Sequence, residues 1–190
     1  MKSDRQRWDQ RFSDKPLTAP KPPGFLVQER EVLPSGRALD IASGDGAAAL
    51  WLAAQGFDTT AVDISSVALS RLQSFAQQQQ LSITELCCDL DDPAQVTSQL
   101  AGSFDVIVMA HFKPSLALMT QLGSLLSPTG QLLLTTFNQQ HHLSNGFSQR
   151  FCLAPSEFES SVPGLRCLHY QSVMRGDSYM DDYRWSRESI

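Results

Sequence analysis

From Gly36 onward, short apolar runs bounded by Gly, Asp or Pro alternate with stretches whose apolar residues recur at helical spacing. That alternation predicts βα units around a mostly parallel sheet. Residues 37–42 read as the first strand, followed by the turn Ser43-Gly44-Asp45-Gly46 and a helix over 47–55 that Gly56 stops. Residues 59–62 form the second strand and end in Asp63, with Ser65 or Ser66 placed to cap a helix from Val67 to about Gln79. The glutamines at 77–80 are the wet end of that helix. Residues 81–88 make the third strand, with Asp89 at its end and Pro93 in the first turn of a short crossover helix. The run 104–110 is nearly all apolar, as a strand buried on both faces requires. Pro114 opens the next helix, on which Leu116, Met119, Leu122 and Leu126 form a sheet-facing stripe. Pro128-Thr129-Gly130 reads as a turn, 132–137 as the fifth strand, 155–160 as a short helix and 165–170 as the first member of a last strand pair. Beyond Arg175, the residues Asp177, Asp181, Asp182 and Arg184 make the chain too polar for the pattern to place a further strand.

The segment before this pattern behaves differently. Residues 1–24 are polar and then carry Pro16, Pro20, Pro22 and Pro23, which block regular helix and predict an arm or lid laid on a single domain over 25–190. A length of 190 residues fits one core. Charge narrows the partners: 20 acidic against 15 basic residues give a net −5, with no compact Lys/Arg run to track a phosphate backbone, so extended nucleic-acid binding is disfavoured. The longest apolar run, 47–54, is far shorter than the roughly 20 residues that cross a bilayer, and Met1-Lys2-Ser3-Asp4-Arg5 leads into charge rather than an apolar signal core. The chain reads as soluble and cytoplasmic, with no membrane partner. Cysteines 87, 88, 152 and 167 form neither a disulfide framework nor a Cys-x-x-Cys motif, and no metal site is expected.

In a parallel α/β sheet, ligands collect where the strands end, which directs attention to 40–46, Asp63, Asp89, 109–112 and 137–138. Gly44 and Gly46 permit close backbone approach, and the helix that follows points free N–H groups at whatever sits above. Asp63 lies 19 residues past Gly44, where a carboxylate at the end of a second strand can accept from both ribose hydroxyls. A lone Gly-x-Gly is weak, since glycine at such turns also serves packing. Three consecutive strand ends each supplying an aspartate around one glycine turn is a stronger signal. Gly44-Asp45-Gly46-Ala47-Ala48-Ala49 also satisfies the dinucleotide pattern, so NAD is the competing cofactor. Against it, Asp40 and Asp89 would set negative charge near a pyrophosphate. A non-catalytic nucleotide-binding module is the third reading.

Residues 37–46 and 49–53, followed by Gly56-Phe57-Asp58-Thr59-Thr60-Ala61-Val62-Asp63-Ile64-Ser65, closely resemble the class I S-adenosylmethionine-dependent methyltransferases, and among them the branch of tellurite-resistance and thiopurine methyltransferase-like proteins. The resemblance spans about residues 8–170. It implies an α/β, Rossmann-like, mostly parallel central sheet with helices on both faces, seven strands and an antiparallel C-terminal strand. It implies S-adenosylmethionine as cofactor, with Asp40, Ala42, Ser43, Gly44 and Gly46 in the glycine-rich loop, Asp63 and Ile64 at the ribose, Asp89 and Leu90 at the adenine, and Met109 and Ala110 beside the methionine part. Ala42 stands where the family most often has glycine. Trp8, Arg11 and Phe12 resemble an aromatic and basic element that precedes the fold in this branch, where the basic group can meet the methionine carboxylate.

Methyl transfer from a sulfonium is an in-line displacement that rests mainly on alignment, with a base needed only when the acceptor must lose a proton. His111 after strand four is the catalytic candidate, against the plainer reading of a locally bonded loop histidine. Phe112, Phe137, Asn138 and Arg150 are the candidate acceptor-binding residues, although Phe137 could close the core and Arg150 could pair with a surface carboxylate. His141 and His142 read as exposed loop residues, and His169 as structural. Only the Pro-rich arm and the loop 138–150 remain to roof the site. That predicts a small acceptor with a thiol, selenium, tellurium or amine nucleophile rather than DNA or RNA.

Overall fold

A computed structural model describes residues 2–92, 96, 98–159 and 162–188. The first element is a helix the prolines did not announce, α1 (Lys2–Ser13). It stops just before Pro16, so the proline-rich stretch limits the helix and forms the extended link to the short α2 (Gly24–Gln28). Then come β1 (Arg37–Ile41), α3 (Ala47–Ala54), β2 (Asp58–Asp63), α4 (Ser66–Gln78), β3 (Ile83–Cys87), β4 (Phe104–Ala110), α5 (Leu116–Ser124), β5 (Leu126–Phe137), α6 (Gln139–Asn145), β6 (Leu165–Arg175) and β7 (Ser178–Arg187). The expected turn at Pro93 lies outside the described residues, and 155–159 forms successive turns rather than a helix.

Among the described residues seven strands make one sheet in the order β3-β2-β1-β4-β5-β7-β6. All neighbouring pairs up to β5 run parallel, and β7 inserts antiparallel between β5 and β6. Both faces are covered. Phe25, Leu26, Ala48 and Leu52 from α2 and α3 pack on Ala38, Val106, Val108 and Leu133. On the opposite face Leu118, Met119 and Leu122 of α5 join Leu39, Ile107, Leu132 and Leu134.

Three differences from the sequence pattern have physical causes. Leu116 is 48% exposed, and Leu126 reaches the same core from β5 rather than from the helix, because α5 ends at Ser124. Pro128-Thr129-Gly130 lies within β5, where the pairing jumps from Phe104↔Leu126 to Val106↔Gln131, so the punctuating residues form a bulge inside the strand. The polar tail is a buried strand. Asp182 accepts from Thr135 Oγ1 at 2.6 Å, Gln171 Nε2 at 2.8 Å and Arg175 Nη2 at 2.6 Å, while Tyr183 and Trp185 fill the core. Its carboxylate is fully compensated, which is what lets a charged residue occupy an internal strand.

Candidate functional site

The C-terminal ends of β1 and β2 converge on the turn 43–46. Asp63 is buried and links the two ends: Oδ2 accepts from the Gly44 N–H at 2.8 Å, and Oδ1 accepts from the Ser65 N–H at 2.8 Å. Burial raises its pKa, the N–H groups of Ser65, Gly44 and Ile64 partly counter that, and the Asp9 carboxylate adds repulsion. Asp40 turns under the loop and accepts from the Ala49 N–H of α3 at 2.8 Å. Its complete burial pushes its pKa up to about 8. It therefore shapes the turn from beneath. Ala42 sits at φ 56, left-handed backbone that favours glycine, and Gly44 and Gly46 also have positive φ. The Ser43 hydroxyl is buried without a hydrogen-bond partner.

The arm lies directly on this turn. A Cβ on Gly44 would stand 2.9 Å from Cζ of Phe12, so any side chain there would displace that ring. Asp9 Oδ1 accepts from Ser65 Oγ at 2.6 Å and from the Val67 N–H at 3.3 Å, while Ser65 Oγ accepts from the Ala68 N–H at 3.1 Å as the cap of α4. Asp45 binds Lys15 at 2.8 Å and Arg71 at 3.3 Å, and the Arg71 guanidinium also donates to the carbonyls of Lys15 and Pro16. Sequence reasoning missed Asp9, Asp45 and Arg71. The Ser65 cap signal was visible, but its second partner is 56 positions away.

At the end of β4, His111 takes φ 57 and donates its N–H to the Thr135 carbonyl at 2.8 Å. The residue is exposed at the rim, yet enough protein surrounds the ring for burial to lower its pKa below 6.5, favouring neutral imidazole. Its ring centroid is 5.4 Å from that of Phe137, which stacks on His141 at 4.5 Å and leans on Phe147 at 4.8 Å. This corrects the reading of His141 as an exposed loop residue: it is buried on α6 in an aromatic wall. His142 Nδ1 lies 2.6 Å from the Phe147 carbonyl, and His169 stacks on Phe25. Asn138 is buried and caps α6, accepting from the His141 N–H at 3.3 Å.

The remaining candidates separate. Met109 is fully buried in the core, so only its backbone faces the strand end; Ala110 and Phe112 are half-buried beside it. Ile64 is half-buried, Leu90 is core, and Asp89 Oδ1 accepts from the Asp91 N–H at 3.0 Å. Arg11 lies 5.3 Å from the Trp8 ring. Arg150 stands 3.9 Å from Asp4 and 4.3 Å from the Phe151 ring, so its partner is the surface carboxylate of α1. Among the described residues no group of His, Cys, Asp or Glu could hold a metal, and no helix is long and apolar enough to cross a membrane.

Residues 8–177 match the family model described as a methyltransferase domain. The chain belongs to the methyltransferase domain family. It is 30% identical over 139 residues to the ubiquinone biosynthesis O-methyltransferase of Xanthomonas campestris, covering 70% of this chain and 56% of that protein. The methyltransferase domain thus spans a little over half the length of the curated relatives it matches. Its fold is shared with TehB from Haemophilus influenzae at TM-score 0.72 and 15% identity, over 95% of this chain and 67% of the other. It is shared too with a structure reported for the conversion of a disulfide bond into a thioacetal group during echinomycin biosynthesis, at TM-score 0.76 and 15% identity over 97% and 92% of the two chains. These likenesses agree with the seven-stranded architecture that the sequence resemblance implies.

Proposed function

We propose that the methyltransferase domain binds S-adenosylmethionine over the ends of β1 and β2 and transfers its methyl group to a small acceptor between α1 and the aromatic wall. The observation that carries this is the turn 43–46 tied to Asp63, with a buried, unpartnered Ser43 hydroxyl beside the two glycines. A buried polar atom without a partner is costly unless a ligand completes it, so the residues present suit a polar group above the turn. The bound cofactor supplies an electrophilic methyl carbon on a sulfonium.

The protein's part is to hold and align. The Asp63 carboxylate takes the N–H groups of Gly44, Ser65 and Ile64 and keeps lone-pair capacity for a ribose hydroxyl. Ile64, Asp89 and Leu90 are assigned to the adenine side, Ala110 and the Met109 backbone to the methionine side, and Arg11 to its carboxylate. His111, whose pKa burial lowers and so favours neutral imidazole, is assigned to accept a proton from an acceptor hydroxyl or thiol. Phe112 and Phe137 wall the acceptor space. Arg150 is assigned to holding α1 through Asp4 rather than to the acceptor.

The negative net charge and the short roof support a small acceptor over a nucleic acid. The name of the curated relatives adds oxygen nucleophiles to the thiol, selenium, tellurium and amine classes. The thiols of Cys87, Cys152 and Cys167, which form no disulfide among the described residues, support a reducing, cytoplasmic setting. Two measurements test the proposal. Calorimetric titration should give micromolar binding of adenosylhomocysteine and much weaker binding of NAD. A labelled-methyl assay over phenols, thiols, amines, peptides, tRNA and duplex DNA should find turnover on small compounds; tight NAD binding, or modification of a macromolecule alone, overturns it.

A further inference from the structure

Residues 14–23 carry the chain from α1 across to α2, and one side chain of the domain holds the start of that crossing. Arg71, 9% exposed on α4, uses all three guanidinium nitrogens. Nη1 donates to the Lys15 carbonyl at 3.0 Å, Nη2 to the Pro16 carbonyl at 2.7 Å, and Nε and Nη2 to Asp45 Oδ2 at 3.3 Å each. Asp45 sits between Gly44 and Gly46 in the glycine turn, and Lys15 Nζ binds both of its oxygens at 2.8 Å. Among the described residues, no hydrogen bond or ion pair ties 17–22 to the domain; the Thr18 N–H turns back to Pro16. N-terminal to the crossing, α1 rests on α4 and the glycine turn through Asp9 and Phe12. Arg71 therefore joins the root of the arm to the turn that the arm covers.

Neutralising Asp45 does not require Arg71, because Lys15 already meets both carboxylate oxygens. What Arg71 alone contributes is the pair of carbonyl bonds, made 56 and 55 positions away along the chain. A planar guanidinium fork can hold two successive carbonyls and a carboxylate at once, whereas a lysine ammonium in its place keeps the charge and loses that geometry. Pro16 restricts the backbone of Lys15 as well, so the root is fixed in direction and in place. An element tethered close to its docking surface has a high effective concentration there, and a fixed root raises it further.

We infer that Arg71 is a positioning residue for cofactor capture: by fixing the root of the arm at Lys15 and Pro16 and tying it to Asp45, it directs α1 back onto the glycine turn after each opening. The inference rests on the proposed cofactor pose for what the arm covers, and on the Arg71 bonds alone for the fixed root. Asp9, Phe12 and Ser65 make the closed contacts. Arg71 touches neither cofactor nor acceptor in that pose and acts through the arm. With the root released, α1 keeps its own contacts but samples more orientations, so the closed fraction falls and ligand release quickens.

Two substitutions in the full chain separate the carbonyl bonds from the charge. Arg71→Lys keeps a cation for Asp45 and loses the fork; Lys15→Ala removes a cation and leaves both carbonyls on Arg71. Stopped-flow release of adenosylhomocysteine should quicken about fivefold in Arg71→Lys. It should quicken less than about twofold in Lys15→Ala, whose lost contact with the Phe12 ring, at 5.5 Å, is exposed and weak. In an Asp9→Ala, Phe12→Ala background, where the closed contacts of the arm are already gone, Arg71→Lys should add less than about twofold. A ligand-free reading comes from 5-fluorotryptophan, with the Trp8 fluorine line assigned by Trp8→Phe. Arg71→Lys should move that line toward its position in the Asp9→Ala, Phe12→Ala chain and leave the Trp51 and Trp185 lines in place. Should Arg71→Lys fail to fold, Arg71→Gln, which can still donate to Asp45 or to one carbonyl, is read in the same way. Unchanged release in the folded Arg71 variant, equal quickening in Lys15→Ala, the same quickening in the arm-released background, or an unmoved Trp8 line overturns the inference. A Trp8 line that moves as expected in a chain that does not bind adenosylhomocysteine would remove the cofactor pose and leave the fixed root standing.

Discussion

Asp63 is a structural tie and, in the proposed pose, a ligand-facing group, and the two duties make one substitution informative. Asparagine keeps a single acceptor oxygen, so Asp63→Asn must release either the Gly44 or the Ser65 N–H and also weakens any ribose contact. Cofactor affinity should fall by roughly 1.5–3 kcal/mol, and the ligand-free protein should also lose about 1 kcal/mol. Calorimetry and melting curves on one preparation separate the two losses; an unchanged affinity would rule out the pose. Ala42 gives the opposite sign. At φ 56 its side chain costs about 1 kcal/mol or more, so Ala42→Gly should raise stability by about that amount, net of the extra freedom glycine gives the unfolded chain. Asp40 sets a pH dependence. Its folded-state pKa of about 8 exceeds the ordinary 3.8, so the native state holds a proton that the unfolded state has released between those values. Stability from this group is present at low pH and is lost as pH rises toward 8. Burial shifts Asp63 in the same direction. Melting temperature of the ligand-free chain should therefore fall from pH 5 to pH 8, and Asp40→Asn, which can still accept from Ala49, should flatten the fall.

At the scale of elements, legibility followed how local the determinants were. β1, α3, β2 and α4 were readable because an apolar run, two glycines, Gly56 and the Ser65 cap all act within a few residues. β7 was not, because the donors that neutralise Asp182 come from β5 and β6. The same distance hid α1: it is polar along its length, and what holds it is Ser65 and Val67 at the mouth of α4 and the glycine turn under Phe12. Asp40, Asp63 and Gly44 were identified and do meet where β1 and β2 end. The arm's dependence on distant partners yields a prediction. Removing residues 1–12 leaves Arg71 bonded to the Lys15 and Pro16 carbonyls and leaves Ser65 capping α4. The loss should cost only about 1–2 kcal/mol, seen as a few degrees of melting temperature. Turnover on a small acceptor should drop at least tenfold, since these residues form one side of the proposed site. A proportionate loss of both would mean that the arm is merely part of the fold.

For the whole molecule, the decisive relation is that α1 and the segment 147–151 meet across the strand ends. Arg7 lies 5.8 Å from the Phe151 ring and Arg150 lies 3.9 Å from Asp4, while Phe12 rests on Gly44. These are exposed, charge-based or edge contacts, each worth at most about 1 kcal/mol, whereas the sheet beneath is fully packed. The arm should therefore open without unfolding the domain. In the proposed pose a ligand on the glycine turn enters while the arm is raised and is then covered by it, so the closed arm should slow both association and release. Because covering adds contacts to the bound state, release should be slowed more. The truncated chain should accordingly bind adenosylhomocysteine with a higher association rate, a still higher dissociation rate and a weaker affinity. At a ligand concentration of 100 times Kd, binding stabilises the intact chain by about 2.7 kcal/mol, or roughly 5–11 °C at this size. At that same absolute concentration the truncated chain should gain less, in proportion to its weaker affinity. Stopped-flow binding and thermal shift on the two chains test this together. Equal rates in both directions would show that the ligand reaches its site without passing the arm, and would move the acceptor space away from α1.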